Sequence, residues 1–329
     1  RVAIAQGLRF APLVEPAPAL SPAERRRYAR HTRLVELGEV GQRRLAAARV
    51  LVVGAGFIGA AIASALASLR MKVALVTDGD IGGGATAQAG GIVRVHHSEP
   101  GLSDLAAESK ALFSEFERFG AGPLPFVRCG FSLFRSQQDR ASAAAEVLRI
   151  RQQHGVQLEL IDAPSLKQAF PELSVADDSF AIYEPDAGYM DPALAARLCA
   201  KRAKSLGATI HKECKVLELM TDKGRVQGVL TRLGVLTADQ VVIAAGAGSL
   251  AIFNKSFNKA SGSAGLRTKG ICAFMLSHDR QRRLPFAFVD NVSGLYGRPD
   301  APGMSLIGFP TQDWDVDPSH GGPAAPSAD

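Results

Sequence analysis

The segment Val50–Leu69 constrains the fold of this chain more than any other part of the sequence. It contains no charged side chain over its whole length, and a run of that length is enough for a membrane-spanning helix. It begins, however, with the strand-like run Val50–Val53, turns through Gly54-Ala55-Gly56 and continues in alanine-rich sequence. A buried strand, a glycine turn and a helix of small residues explain this order better than a membrane segment. The sequence therefore predicts a soluble chain with no membrane partner.

The glycine turn joins two buried strands through a helix. The second apolar run, Val73–Val76, follows the predicted helix, so that strand, helix and strand form one crossover unit. The turn has the spacing GxGxxG, which places free N–H groups of a helix N-terminus where a pyrophosphate can approach the backbone. The sequence therefore predicts a dinucleotide site, whose first contacts are Gly54, Gly56, Phe57, Ile58 and Gly59.

A carboxylate follows the second strand, where dinucleotide-binding folds hold a ribose hydroxyl. Asp78 occupies this place, and its alternative role is that of a solvated turn residue. An acidic residue here, rather than an arginine, argues against NADP. The next segment, Gly82–Gly91, is so rich in glycine that its ordering would be costly unless its backbone passes close to another group.

Composition excludes several other classes of protein. The net charge of +6 arises from 38 basic and 32 acidic residues that are spread thinly, which does not favour nucleic-acid binding. The 4 cysteines form no CxxC pair, so neither a zinc site nor a disulfide framework is predicted. No signal-peptide pattern is visible, and we expect a cytoplasmic protein with reduced thiols. His96 and His97 are adjacent, but no further metal ligand accompanies them, so no metal is predicted.

Periodicity divides the rest of the chain. We expect a loose arm before Pro22, a charged helical region over 22–47 and a disordered tail over 318–329. The predicted helices are 58–69, 102–119, 141–154, 165–170 and 191–206. The predicted strands include 131–134, 207–210, 225–233 and 241–243. The expected domains are a lead over 1–47, a nucleotide domain over 48–110 and 191–250, and a substrate domain over 111–190 and 251–317.

Three segments together resemble one family of enzymes. They are Gly54–Arg94, Tyr183–Pro192 and Val241–Ala247, and they are similar to the D-amino-acid oxidase and monomeric sarcosine oxidase family, which includes glycine oxidases. The resemblance covers about residues 48–318. It implies an α/β fold in which a Rossmann-like FAD domain carries an inserted α+β substrate domain on a mixed or antiparallel sheet. It also implies an oxidoreductase that uses FAD to oxidise the C–N bond of a small amine or amino acid.

The resemblance also implies roles for single residues. Arg94 matches the arginine that grips the substrate carboxylate, and Tyr296 and His97 are further candidates for the substrate pocket. A planar guanidinium suits a bidentate carboxylate contact, although a surface salt bridge is the alternative for Arg94. No residue is assigned as a catalytic acid or base. Besides the glycine turn and Asp78, the implied FAD contacts are Gly84, Ala85, Thr86, Gly90, Gly91, Val216 and Gly246.

The chain departs from this family at both ends. The family's C-terminal glycine-histidine-glycine segment is missing, and His320-Gly321-Gly322 is a poor substitute. The opening 27–54 resembles instead the adenylating enzymes of thiamine and molybdopterin synthesis, which are E1-like and use such a lead in a homodimer contact. Two alternatives to the oxidoreductase therefore stay open, a truncated or non-catalytic flavoprotein subunit and an ATP-binding adenylating enzyme. A homodimer or a partner subunit is a further expectation.

Overall fold

The computed structural model of the protein describes residues 15–33, 38–171, 173–257, 267–279 and 284–316. The chain divides into two compact units, each built from two separate stretches of sequence. The first unit comprises Arg1–Ala87 and Ala196–Ser263, and the second comprises Gln88–Ala195 and Ala264–Asp329. The finer domain limits expected from the sequence stay a prediction.

The helices and strands are numbered here in chain order over the described residues. The helices are α1 Pro22–Arg27, α2 Ala29–Thr32, α3 Gly38–Ala47, α4 Phe57–Ser68, α5 Ala85–Gln88, α6 Pro100–Ser114, α7 Phe116–Phe119, α8 Arg140–His154, α9 Ala163–Ala169, α10 Pro192–Ser205 and α11 Gly248–Phe257. The strands are β1 Arg49–Val53, β2 Lys72–Val76, β3 Ile92–Val93, β4 Phe126–Arg128, β5 Phe131–Ser136, β6 Glu159–Asp162, β7 Ser179–Glu184, β8 Gly188–Met190, β9 Thr209–His211, β10 Val216–Asp222, β11 Arg225–Thr231, β12 Gly234–Thr237, β13 Gln240–Ile243, β14 Cys272–Ser277, β15 Ala287–Asp290, β16 Tyr296–Pro299 and β17 Met304–Phe309.

The first unit is built on a parallel sheet with the strand order β13-β1-β2-β9. Residues Val50–Val53 of β1 are all buried, as expected for a strand that is covered on both faces. Helix α4 connects β1 to its neighbour β2, whereas β13 pairs with the other side of β1. The chain therefore reverses its direction across the sheet beside β1, and such a switch point is where open α/β sheets bind ligands.

A smaller antiparallel sheet, β10-β11-β12, belongs to the same unit. Together with α11 it packs on the parallel sheet, and their shared apolar core includes Leu51, Val76, Val216, Val229 and Ile252. This packing places the start of β10 close to the end of β2.

The N-terminal lead also belongs to the first unit, but it is not one helix. Helix α1 starts with a capping box between Ser21 and Glu24, and Glu24 also forms an ion pair with Arg70, which follows the end of α4. Tyr28 interrupts the helical backbone with φ −101° and ψ 15°, and its side chain is buried. The helical region expected over 22–47 is therefore divided into α1, α2 and α3, and Leu34 and Leu37 lie outside the described residues.

The second unit contains a sheet with the strand order β14-β17-β16-β15-β5-β7-β6. Its neighbouring strands are antiparallel except for the parallel pair β15 and β5, so the sheet is mixed. Helix α8 covers one face, where Val147 and Ile150 pack against Phe131, Phe180 and Ile182. A second, antiparallel sheet has the order β3-β8-β4. A Rossmann-like unit accompanied by an α+β unit with a mixed sheet confirms the predicted fold class.

Local differences from the sequence-based elements are few. The helix predicted over 102–119 is divided at Glu115, whose φ of −114° and ψ of 31° lie outside the helical region. The glycine-rich composition of Gly79–Gly91 predicts a long loop, but this segment contains the one-turn helix α5. The predicted tail over 318–329 lies outside the described residues. No helix in the described ranges is both long and apolar enough to cross a membrane.

Candidate functional site

Two glycines allow three backbone segments to meet at the switch point of the parallel sheet. Gly54 has φ +104°, and a Cβ atom on it would lie 2.4 Å from the carbonyl oxygen of Ala244. A Cβ atom on Gly59 would lie only 1.8 Å from the carbonyl oxygen of Gly54. The end of β1, the start of α4 and the end of β13 therefore come together only because both positions lack side chains.

The N-terminus of α4 has a glycine as its N-cap residue. Gly56 has no side chain of its own to cap the helix. The Phe57 N–H donates a hydrogen bond of 3.1 Å to the Thr86 hydroxyl, and the Ile58 residue is exposed. A Cβ atom on Gly56 would meet only atoms of Thr86 within 4 Å, so the space before the helix is closed by this one side chain among the described residues. An anion that displaced the movable Thr86 side chain would meet the positive end of the helix dipole.

Three further glycines lie on the segments that flank this turn. The Gly82 N–H donates to the Ala55 carbonyl at 2.8 Å, and this bond holds the glycine-rich segment next to the turn after β1. Gly84 and Gly246 have φ +59° and φ +56°, and a Cβ atom on either would meet nothing within 4 Å. Gly84, Ala85 and Thr86 thus lie on one side of the turn, and Gly246 follows β13 on the other.

The ribose candidate lies at the carboxyl end of β2. The Asp78 carboxylate is exposed and lies 3.4 Å from the Lys215 ammonium group. The backbone of Thr77 bonds both to His211 and to Cys214, which ties the end of β2 to the turn before β10. Val216, the first residue of β10, is buried in the shared core. The first unit therefore contains the whole predicted nucleotide set except Gly90 and Gly91.

Gly90 and Gly91 belong to the second unit. Gly91 has φ +67°, and a Cβ atom on it would lie 2.0 Å from the Met190 carbonyl oxygen. The Gly90 carbonyl accepts a hydrogen bond of 2.7 Å from Arg298 Nε, while the Arg298 guanidinium lies 4.1 Å from the centre of the Tyr189 ring. The sequence analysis missed Arg298. The only sequence indication for Arg298 was its position two residues after Tyr296, which places both side chains on the same face of β16.

Arg94, the predicted carboxylate ligand, is a largely buried cation. Its guanidinium carbon lies 4.6 Å from the centre of the Phe131 ring, and its Nη1 donates to the His96 carbonyl. Burial lowers the pKa of Arg94, and the nearby charge of Glu184 opposes this effect. No ion pair within the described part of the chain involves Arg94, so its charge has no carboxylate in direct contact. Such a cation is suited to a negatively charged ligand.

The two histidines after Arg94 are held in their neutral form. Burial, and next the Arg94 charge, lower the pKa of His96 to about 4, although Glu146 lies 3.3 Å from its Nε2. Burial and Arg94 also lower the pKa of the half-buried His97. The His97 N–H donates to the Ser103 hydroxyl. No cluster of metal-ligating side chains occurs among the residues that the structure describes.

Tyr296 lies across the mixed sheet of the second unit. It pairs with Gly308 in β17, where a Cβ atom would lie 1.8 Å from the tyrosine ring. Its hydroxyl reaches the Cys272 carbonyl oxygen at 3.5 Å, and burial raises the pKa of this hydroxyl. The ring therefore extends over β17 towards β14.

Glu184 is a second residue whose importance the sequence analysis missed, although it lies in one of the family-like segments. Its side chain is fully buried, and its carboxylate accepts hydrogen bonds from the N–H groups of Val95 and His96 at 2.9 and 3.1 Å. The Lys110 ammonium group donates to the same carboxylate at 3.2 Å. Glu184 thus contacts the backbone directly after Arg94.

Several known proteins are similar to this chain. Residues 49–328 match the family described as FAD dependent oxidoreductase. The glycine oxidase of Bacillus subtilis is 27% identical over 284 residues, which cover 83% of this chain and 72% of that protein. The 4-methylaminobutanoate oxidase (formaldehyde-forming) of Paenarthrobacter nicotinovorans is 28% identical over 199 residues, or 60% of this chain and 24% of that protein.

Two other comparisons concern a shorter stretch of the chain and the fold. A stretch of 70 residues, 21% of this chain, is 49% identical to 18% of the probable adenylyltransferase/sulfurtransferase MoeZ of Mycobacterium tuberculosis. The solved structure of glycine oxidase from Geobacillus kaustophilus superposes with a TM-score of 0.65 at 23% identity, covering 81% of this chain and 73% of that chain.

The chain spans only about a quarter of the 4-methylaminobutanoate oxidase. The family match, in contrast, extends over most of the chain, from the first residue of β1 onwards. It confirms the resemblance that the glycine turn and the two later segments indicated. The chain belongs to the FAD dependent oxidoreductase family that is named for D-amino-acid oxidase.

Proposed function

We propose that this chain binds FAD and oxidises the C–N bond of a small amine or amino acid. The observation that carries the proposal is the glycine-lined turn at the switch point of the parallel sheet, where a Cβ atom on Gly56, at the start of α4, would meet only the Thr86 side chain. Membership of the FAD dependent oxidoreductase family supports the same cofactor. The B. subtilis relative is a glycine oxidase, which supports a small amino acid as the substrate class.

The residues of the first unit fit an extended dinucleotide. Gly54, Gly56, Phe57, Ile58 and Gly59 would hold the pyrophosphate, because they combine close backbone approach with the start of a helix, whose dipole favours an anion. Asp78 would bind the ribose through its exposed carboxylate, and Val216 would contact the adenine. Gly84, Ala85, Thr86 and Gly246 line the same edge with exposed backbone, and Gly90 and Gly91 stay predicted FAD contacts.

The chemistry divides between the cofactor and the chain. Bound FAD would supply the hydride acceptor, and the oxidised substrate would leave as an imine that water hydrolyses. Arg94 would bind the substrate carboxylate, because it is a desolvated cation without a carboxylate in contact. His96 and His97 add no positive charge at neutral pH, since the pKa values of both are lowered. Tyr296 would line the pocket, and no chain residue needs to act as an acid or base if the substrate amine is neutral.

A spectroscopic experiment tests the cofactor. The purified chain, incubated with FAD and desalted, should show flavin absorption and release about one FAD per chain on denaturation. Gly56→Ala should lose most of this FAD, because its Cβ atom fills the phosphate approach while contacting only the movable Thr86 side chain. Gly79→Ala is the matched control, since a Cβ atom there meets nothing within 4 Å. A wild-type chain that stays colourless, or equal FAD retention in both variants, contradicts the proposal.

A substrate experiment tests the reaction. The FAD-loaded chain is mixed with a panel of small amino acids and N-methyl amino acids under anaerobic conditions, and bleaching of the flavin is followed. Readmitting oxygen or adding an artificial acceptor then shows whether the chain is an oxidase or a dehydrogenase. Arg94→Gln should weaken binding of every substrate with a carboxylate and spare the corresponding methyl esters. A chain that retains FAD but is bleached by no amine would be a non-catalytic flavoprotein subunit instead.

One comparison supports another candidate. The 70-residue similarity to an adenylyltransferase allows ATP to occupy the glycine turn instead of FAD. ATP–pyrophosphate exchange with the purified chain tests this activity, and we expect none. The homodimer predicted from the lead is checked separately by sedimentation of the wild-type chain.

A further inference from the structure

Three hydrogen-bond donors surround the buried carboxylate of Glu184. One oxygen accepts from Val95 N–H at 3.1 Å and from Lys110 Nζ at 3.2 Å. The other accepts from Val95 N–H at 2.9 Å and from His96 N–H at 3.1 Å. The side chain is 0% exposed, so these groups replace the water that the charge has lost.

These contacts fix the backbone that carries Arg94. Two consecutive N–H groups point at one carboxylate, so the peptide planes after Arg94 cannot rotate without breaking a hydrogen bond to a charged group. The carbonyl that accepts from Arg94 Nη1 belongs to His96, one of the two residues so held. Glu184 thus holds the backbone at Val95 and His96, and this backbone in turn orients the Arg94 guanidinium.

Strand pairing places Phe131, whose ring lies under the Arg94 guanidinium, beside Glu184. Phe131 in β5 is the register partner of Glu184 in β7, and the Arg94 guanidinium lies over the Phe131 ring. The guanidinium, its aromatic platform and the carboxylate that holds its backbone therefore belong to one corner of the second unit. Glu184 nevertheless forms no direct ion pair with Arg94 within the described residues.

Lys110, and not Arg94, forms the direct ion pair with Glu184, so the Arg94 guanidinium can still bind a substrate carboxylate. Lys110 is the direct ion-pair partner of Glu184, at 3.2 Å, and its ammonium group offsets the negative charge. Without Lys110, the buried carboxylate would repel a substrate carboxylate that approaches Arg94. We propose that Glu184 is the positioning residue of Arg94 and that Lys110 neutralises it, which together select substrates that carry a carboxylate. This inference rests on the proposed function of Arg94.

Glu184→Gln tests the inference with minimal change in shape. Both carboxylate oxygens face donors, so a glutamine amide must direct its NH₂ group at one of them. We expect the KM for an amino acid to rise about tenfold or more, because a charge-assisted contact is lost. The kcat should change little, and the KM for the methyl ester of the same amino acid should not change. Glu117→Gln, at an exposed position in α7, is the matched control.

Two further measurements separate positioning from a general structural role. In an Arg94→Gln background, Glu184→Gln should raise the KM no further, since the positioned group is already absent. Lys110→Met should raise the KM for the amino acid and spare the ester. Equal losses with acid and ester, or additive losses with Arg94→Gln, would overturn the inference.

Amide hydrogen exchange tests the contact without any turnover. Peptides that contain Val95 and His96 should exchange about tenfold faster in Glu184→Gln than in the wild type or in Glu117→Gln. Unchanged exchange of these peptides overturns the inference whatever the kinetics show. If the wild-type chain oxidises no amine, the proposed function fails, and exchange alone then decides whether Glu184 holds the segment after Arg94.

Discussion

The substitution Gly59→Ala tests the backbone crossing at the switch point most directly. The added Cβ atom would lie 1.8 Å from the Gly54 carbonyl oxygen and 2.9 Å from its carbon. Since real Cβ atoms essentially never approach closer than 3.0 Å, the first contact must open by more than an ångström. Both partners are backbone, so no side-chain rotation relieves the contact.

The expected cost follows from this geometry. Overpacking in a close-packed region costs about 1–3 kcal/mol, and a backbone partner places this site at the upper end. Alanine in a helix regains at most about 1 kcal/mol relative to glycine. We therefore expect the free energy of unfolding of the first unit to fall by about 2 kcal/mol, which corresponds to roughly 4–8 °C in melting temperature.

The assay compares thermal and urea unfolding of three variants without added FAD. Gly79→Ala, which meets nothing within 4 Å, should remain close to the wild type. Gly56→Ala should lose about 1 kcal/mol, because the Thr86 hydroxyl must give up its hydrogen bond to the Phe57 N–H. If Gly59→Ala is as stable as Gly79→Ala, the close approach of α4 to the end of β1 is wrong.

Three other predictions concern the second unit. Folding lowers the pKa of His96 from 6.5 to about 4, so the folded state binds fewer protons than the unfolded state between these pH values. The contribution of His96 to the free energy of unfolding is therefore fully present above pH 6.5 and declines as the pH falls towards 4. Urea unfolding should therefore show about 2 kcal/mol more loss between pH 7.5 and 5 in the wild type than in His96→Gln, and parallel curves would refute this. Gly91→Ala should melt well below Gly101→Ala, because only the former meets backbone, at 2.0 Å; equal melting temperatures would contradict the close approach to β8. Tyr296→Phe should cost less than about 0.5 kcal/mol, since the 3.5 Å hydroxyl contact is at the limit of a hydrogen bond; a larger loss on urea unfolding would show a stronger contact.

The sequence was most informative where structure depends on neighbouring residues. The strand, glycine turn, helix and second strand after Arg49 were predicted within one or two residues, because burial on both faces leaves a local pattern of apolar and small side chains. The helix breaks at Tyr28 and Glu115 were missed, since neither proline nor glycine marks them. Tertiary packing determines where these helices break, and the pattern of a single sequence does not show that packing.

Contacts between distant residues were beyond the sequence. Arg298 bonds to the carbonyl of Gly90, 208 positions earlier, and Glu184 bonds to Val95 across 89 positions. Both depend on strand pairing that periodicity does not specify. Arg94 was found only because its segment resembles a known family, whereas its lack of a carboxylate partner became visible only in the folded chain. The roles of the individual site residues remain predictions until the variants are measured.

The parallel sheet of the first unit has a consequence for the order of assembly during synthesis. Arg49 at the start of β1 is bonded to Asp239, 190 residues later, and β13 pairs with Val50–Val53 of β1. At about 5–20 residues per second, a ribosome needs roughly 10–40 s to reach the second partner after making the first. During that interval β1 and β2 are apolar strands without their outer neighbours, and the turn at Gly54 lacks the backbone of Ala244. The nascent chain therefore exposes apolar strand edges to aggregation during synthesis, and the pairing of β13 with β1 ends this exposure.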